Sequence, residues 1–146
     1  MNFRLLYSFH LLKFLKSKET EWRHIQQLFF ALALDYTHIS FKLYSENKLL
    51  FNCPTTDTIT KRWQQILDQE ISSHLIELQN PTAHDDFKIT GVISSQQYGR
   101  YDRNGIYVFI NNRWVKDYKL NRSLINGYHN ALPTRQVPIA CIKIDI

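Results

Sequence analysis

Cysteine, glycine, proline and methionine are all scarce in this 146-residue chain, at two, four, four and one residues. The two cysteines, Cys53 and Cys141, stand far apart, with no CxxC or Cys/His spacing. That excludes a disulfide framework and a zinc-ribbon pattern, and the thiols read as reduced, small apolar side chains of a cytoplasmic protein. So few glycines and prolines exclude a flexible linker or a low-complexity repeat. The six histidines are scattered, with no HxH or HExxH pair, so no metal site is expected. No apolar run reaches the roughly 18 residues that a membrane span needs. The N-terminal "MNFRLLYSFHLLKFLKSK" is apolar and basic, but it has no small-residue cleavage site and is interrupted by His10 and Lys13. It does not read as an export signal. Asp85-Asp86 is the sole adjacent carboxylate pair, and it falls in a turn-rich stretch, so it reads as a solvated loop rather than an acid/base pair.

What is present is bulk and localised charge. Hydrophobic residues make up 44% of the chain and aromatic residues 14%, enough to build a core. The formal net charge is +5, and all of that excess lies between Gln97 and Arg135. Arg100, Arg103, Arg113, Lys116, Lys119, Arg122 and Arg135 face only Asp102 and Asp117 there, while the rest of the chain is balanced. A positive charge confined to one stretch is the footprint of a polyanion binder.

Periodicity predicts an α+β chain. Trp22, Ile25, Phe29, Leu32, Ala33 and Tyr36 recur at helical spacing in "TEWRHIQQLFFALALDY". Glu19 and Glu21 favour its N-terminal end, Ser17 or Thr20 can cap it, and "LLKFLKS" reads as a shorter helical turn before it. "HISFKLYSENKLLFN" alternates and reads as a hairpin turning at "SENK". "CPTTDT" breaks the pattern and sets a module boundary near Pro54 to Thr58, dividing the chain into residues 1–55 and 56–146. Asp57 or Thr58 can cap a helix "ITKRWQQILDQE" with Ile59, Trp63, Ile66 and Leu67 on its apolar side. "HLIELQ" and "FKITGVIS" read as strands separated by "NPTAHDD", and "SQQYGRYDRNG" as a polar, mobile, basic loop. "IYVFI" reads as a strand turning at Asn111-Asn112. Asp117 caps a helix "YKLNRSLINGYHNAL", with Leu120, Leu124, Tyr128 and Ala131 on one face and Lys119, Arg122, Asn126 and His129 on another. "VPIACIKIDI" closes the chain as a strand that looks unfinished, and an open sheet edge there suggests a fragment. Helices on one face of a mixed sheet is the predicted architecture.

Two stretches carry a family resemblance. "KFLKSKETEWRHIQQLFFALAL", continuing through "ISFKLYSENKLLF" to Phe51, resembles the end of the N-terminal GHKL-type ATPase domain of MutL DNA mismatch repair proteins. "RYDRNGIYVFINNRWVKDYKLNRSLINGYHNALPTRQVPIACIKIDI" resembles their transducer domain, whose fold is like domain 2 of ribosomal protein S5. Tyr107, Phe109, Asn111, Arg113, Val115 and Asp117 match in order the family pattern Q-Y-x-F-V-N-G-R-x-V-x-D. The resemblance implies a remnant of the ATPase domain over residues 1–55 and a transducer domain, truncated before its final strand, over 56–146. It implies a cytoplasmic, nucleoid-associated protein that meets DNA, a MutS-type mismatch recognition protein and other MutL copies.

The departures bear on activity. The family's catalytic Glu, metal-binding Asn, Asp-Gly motif and Gly-rich lid lie upstream of Lys13 and are absent from these residues. Tyr7 to Leu11 stand where the family has N-x-P-A-R, as after a frameshift or misplaced start. The family's later V-D-V-N-V-H-P-x-K lies beyond Ile146, and Asn112 replaces a turn glycine. The expectation is a chain without catalysis or a cofactor of its own, ATP and magnesium belonging to the intact family. DNA contact without sequence preference would run through Arg113, Lys116, Lys119 and Arg122, with Arg100 and Arg103 beside them, because phosphate contacts need only cations along one surface. Trp114 reads as a packing residue rather than a base-stacking platform. A protein-interaction module, or the inactive product of a broken gene, is the alternative.

Overall fold

Ser17 sets the start of the first long element. In the computed structural model, which describes residues 2–6, 17–67, 69–78, 87–129 and 131–146, its hydroxyl accepts the Thr20 backbone N–H at 3.3 Å. Helix α1 then runs Lys18–Asp35, with Glu19 and Glu21 in its first turn. Its core side carries Phe29, Ala31, Ala33 and Leu34, fully buried, with Trp22, Ile25 and Leu32 partly so. Tyr36, predicted on the apolar face, caps the helix from outside the core and stays exposed. Residues 11–16 of the "LLKFLKS" turn, "NPTAHDD" and the Asp85-Asp86 pair within it lie outside the described residues.

The predicted hairpin forms as β2 (Ser40–Ser45) and β3 (Lys48–Cys53). Glu46 and Asn47 both take positive φ, 48° and 64°, as a two-residue turn between right-twisted strands requires. Phe41 and Leu43 point into the core while Lys42 faces out, as the alternation predicts. A strand that the sequence reading does not anticipate, β1 (Asn2–Leu6), pairs in parallel with β2, giving the order β1-β2-β3. Phe29 and Phe30 of α1 pack on Phe51 with ring centroids 5.8 and 5.0 Å away, and these edge and tilted contacts join helix to hairpin.

Helix α2 (Ile59–Ile66) starts at Thr58, whose hydroxyl accepts the Lys61 N–H at 3.2 Å. The predicted helix of twelve residues stops at Ile66, and a separate helix, α3, covers Gln69–Ser73. Trp63 is buried as expected, but so is Arg62, which periodicity had not marked. Its guanidinium donates to the carbonyls of Thr37 (2.8 Å), Ile39 (2.7 Å) and Pro54 (2.8 Å). It thereby ties the turn after α1, the entry to β2 and the exit of β3. The first compact unit consequently runs to Ile66, and the second spans Leu67–Ile146. Helix α2 belongs with the hairpin it clamps, not with the module that follows.

The second unit is a five-stranded mixed sheet ordered β4-β5-β8-β6-β7. Its strands are β4 (Leu75–Leu78), β5 (Lys88–Ser94), β6 (Ile106–Ile110), β7 (Arg113–Val115) and β8 (Ala140–Asp145). Strand β8 is central: it pairs antiparallel with β5 and parallel with β6. The last strand therefore leaves no open edge, contrary to the expectation drawn from its abrupt end. The edges are the short β4 and β7, which limits the backbone available for unwanted pairing. Gly91 in β5 has φ +138°, and a Cβ there would run into the Cys141 carbonyl of β8. Tyr107, Phe109, Val92, Ile139 and Cys141 are fully buried in this core.

A parallel pair needs a crossover. Between β6 and β8 that connection consists of β7 and helix α4 (Tyr118–Gly127). Asp117 caps α4 as predicted, accepting the Leu120 N–H at 2.9 Å. The helix ends at Gly127, short of the predicted Leu132. Tyr128 follows as its cap, and its hydroxyl donates to the Ser94 carbonyl at 2.6 Å, fastening the helix end to β5.

Candidate nucleic-acid interface

The turn at Asn111-Asn112, with φ 47° and 61°, delivers Arg113 to the first position of β7. Asn tolerates this left-handed geometry where the related family pattern has glycine. Arg113 is exposed and pairs in register with Ile110. Trp114 turns the other way, is half-buried, and stacks on Tyr107 with centroids 5.9 Å apart. Lys116 emerges just after the strand, with its ammonium 4.2 Å from the Trp114 ring centre. Trp114 thus packs against Tyr107 and a cation, in keeping with the structural role expected from the sequence.

On α4, Tyr118, Lys119, Arg122, Ser123 and Asn126 are exposed, while Leu120, Leu124 and Tyr128 turn partly inward. The charged face predicted from spacing is the solvent face. Arg113, Lys119 and Arg122 have no acidic partner among the described residues. Four exposed cations thus follow one another from the start of β7 through two turns of α4.

Arg100 and Arg103 sit differently. The stretch read as a mobile loop is tied down: Arg100 and Val137 exchange backbone hydrogen bonds of 2.8 and 2.7 Å. The Arg100 guanidinium pairs with Asp102 at 3.0 Å, and Asp102 also caps the 3-10 turn Arg103–Gly105 by accepting the Asn104 N–H at 2.8 Å. Much of the Arg100 charge is therefore balanced locally, whereas Arg103 is exposed. Two aromatic residues of the basic stretch that its charge pattern does not mark are also exposed, Tyr101 at 78% and Tyr118 at 61% accessibility. Tyr118 had a readable signal, since it shares a helical stripe with Arg122 four residues on.

No group of three or more His, Cys, Asp or Glu among the described residues could hold a metal ion. The four glycines lie singly, at a strand centre (Gly91), beside the Gln136–Val137 backbone (Gly99), in a 3-10 turn (Gly105) and at a helix end (Gly127). None belongs to a run able to cradle phosphates. No described helix is long and apolar enough to cross a membrane.

Residues 63–146 match the family model for the DNA mismatch repair protein, C-terminal domain. DNA mismatch repair protein MutL of Lactobacillus helveticus is 31% identical over 135 residues, covering 92% of this chain and 21% of the relative. DNA mismatch repair protein HexB of Streptococcus pneumoniae serotype 4 is 33% identical over 135 residues, covering 92% and 20%. The chain thus spans about a fifth of the length of these relatives. Among solved structures, the Aquifex aeolicus MutL ATPase domain complexed with ADP superposes with TM-score 0.65 at 20% identity, over 92% of this chain and 46% of that one. The N-terminal domain of a DNA repair protein superposes at 0.71 with 14% identity, over 88% and 43%.

Proposed function

The chain belongs to the MutL family of DNA mismatch repair proteins, and from that premise we propose that its role is to hold DNA by the phosphate backbone, without sequence preference. The observation that carries this reading is the charge distribution. The whole +5 lies between Gln97 and Arg135, and Arg113, Lys116, Lys119 and Arg122 stand exposed on consecutive elements. Cations on a strand end and a helix face fit regularly spaced phosphates, and they carry no base-reading geometry. Arg103 flanks this rim, with Arg100 contributing less because Asp102 offsets it. We place the action of the chain in the cytoplasm beside the chromosome, within an assembly that also contains a MutS-type protein and further MutL copies. The ATP and magnesium chemistry associated with the family falls to residues other than these, so the chain itself is a binding element and not a catalyst.

Fluorescence anisotropy with a labelled duplex tests the reading. Affinity should fall steeply with salt, with a log–log slope near −4 if about four phosphates are neutralised. Arg113→Glu and Lys119→Glu should each weaken binding at low salt by about tenfold or more and flatten that slope. A salt-independent affinity, or two silent charge reversals, would sink it.

A second reading rests on the first unit, where Leu28, Leu49 and Leu50 are exposed at 46%, 43% and 37%. Apolar surface of this kind suits a protein partner such as another MutL copy. Sedimentation of the chain over a range of concentrations distinguishes self-association from a monomer that binds DNA alone.

A further inference from the structure

We propose that Tyr118 is a stacking platform for an unpaired base, and that it gives the basic rim a preference for single-stranded over duplex DNA. The inference rests on the phosphate-binding reading above and adds a specificity residue to it. Tyr118 opens α4 directly after the Asp117 cap, and its side chain is 61% accessible. An exposed tyrosine at the first turn of a capped helix contributes little to packing, so its ring is available to a ligand. Its neighbours are cations: Lys119 is adjacent and Lys116 lies two residues before. Arg122, four residues on, shares its face of the helix. A base stacked on Tyr118 would bring its own phosphate within reach of the Arg122 guanidinium, combining ring and cation as single-strand binding surfaces do.

The other aromatic residues of this segment are placed differently. Trp114 packs on Tyr107 and under Lys116. Tyr101 is as open as Tyr118, but it stands between Arg100 and Asp102, whose charges cancel in an ion pair. A duplex keeps its bases stacked inside the helix and offers Tyr118 no ring face. An unpaired strand offers one per nucleotide.

The test uses the full chain with two labelled probes, an oligothymidylate and a blunt duplex of equal length, in anisotropy titrations at one low salt concentration. Tyr118→Ala should weaken oligothymidylate binding about tenfold and change duplex binding less than about twofold. Tyr118→Phe, which keeps the ring, should bind both probes like the parent, and Tyr101→Ala should leave both affinities unchanged. Equal loss on both probes, or no loss on the oligothymidylate, would overturn the stacking role while leaving the phosphate rim standing. If Lys119→Glu leaves both probes bound as before, the rim reading falls, and the stacking role falls with it.

Discussion

Replacing Arg62 by methionine removes a guanidinium but keeps an apolar stem of similar length. The parent side chain is fully buried, and its terminal groups reach three main-chain carbonyls on separate elements at 2.7–2.8 Å and the Gln65 Oε1 at 2.8 Å. A charged hydrogen bond contributes about 1.5–3 kcal/mol, and an orphaned buried acceptor costs about 1–3 kcal/mol. Three carbonyls together therefore place the gross loss near 5 kcal/mol. Desolvation opposes it. Burial already holds the arginine pKa below its ordinary value, and replacing buried charge by apolar volume typically recovers about 1–4 kcal/mol. The net cost should be about 3 kcal/mol, a large share of the 5–15 kcal/mol that holds a domain together. For a unit of this size that lowers the melting temperature by about 12–24 °C. Thermal melts followed by circular dichroism read it directly. Arg62→Lys provides the discriminating control, because a single ammonium cannot fork across three carbonyls and should recover less than half of the loss. A melting temperature within about 2 °C of the parent for Arg62→Met, or full rescue by lysine, would refute the clamp.

Three further outcomes follow from the second unit. Gly91→Ala should destabilise by at least about 3 kcal/mol, because φ +138° is strained for alanine and the new Cβ meets the Cys141 carbonyl, a backbone atom that cannot swing away; urea midpoints check this, and a near-neutral result contradicts the strand geometry. Burial pushes the Tyr107 hydroxyl far above its ordinary value near 10, so the unfolded chain loses that proton first and stability should fall as pH rises above about 10, by up to about 1.4 kcal/mol per pH unit; Tyr107→Phe should flatten that decline in urea melts across the alkaline range, and an unchanged slope would assign the loss elsewhere. Asp117→Ala should cost about 1 kcal/mol through loss of the α4 cap without weakening duplex binding, since it removes a negative charge from a basic segment; weaker DNA binding with an unchanged melting curve would instead place Asp117 in the interface.

The elements legible in the sequence are those whose signal is local. Phe41 and Leu43 alternate with Lys42, Asp117 stands at a helix start, and Asn111-Asn112 can only be a turn between a strand and something that returns. What stayed hidden depends on distant partners. Arg62 looks like a solvent-facing helical cation until the turn after α1 and the exit of β3 converge on it, and no window of the sequence contains all three. Strand β7 has three residues, too few to show a period. Strand β8 reads as an exposed edge because its partners, β5 and β6, lie 47–57 and 34 positions earlier in the chain. Its run from Ile139 to Ile142 is buried throughout, and such a continuous apolar run is the signature of a strand covered on both faces.

The same topology accounts for where the charge sits. Strands β5, β8 and β6 occupy the middle of the sheet, and their core positions leave little room for a cation. The connection from β6 to β8 must leave the sheet and return, because parallel neighbours cannot be joined by a tight turn. It is therefore a stretch of the second unit that runs over the surface. Arg113, Lys116, Lys119 and Arg122 all lie on it, bracketed by an asparagine turn at one end and by the Tyr128 hydrogen bond to Ser94 at the other. Cations carried on a crossover fixed at both ends keep their mutual spacing without taking part in the core. Charge-reversal variants there should consequently change DNA affinity and leave the melting temperature almost untouched, whereas the Arg62 and Gly91 variants should shift the melting temperature first.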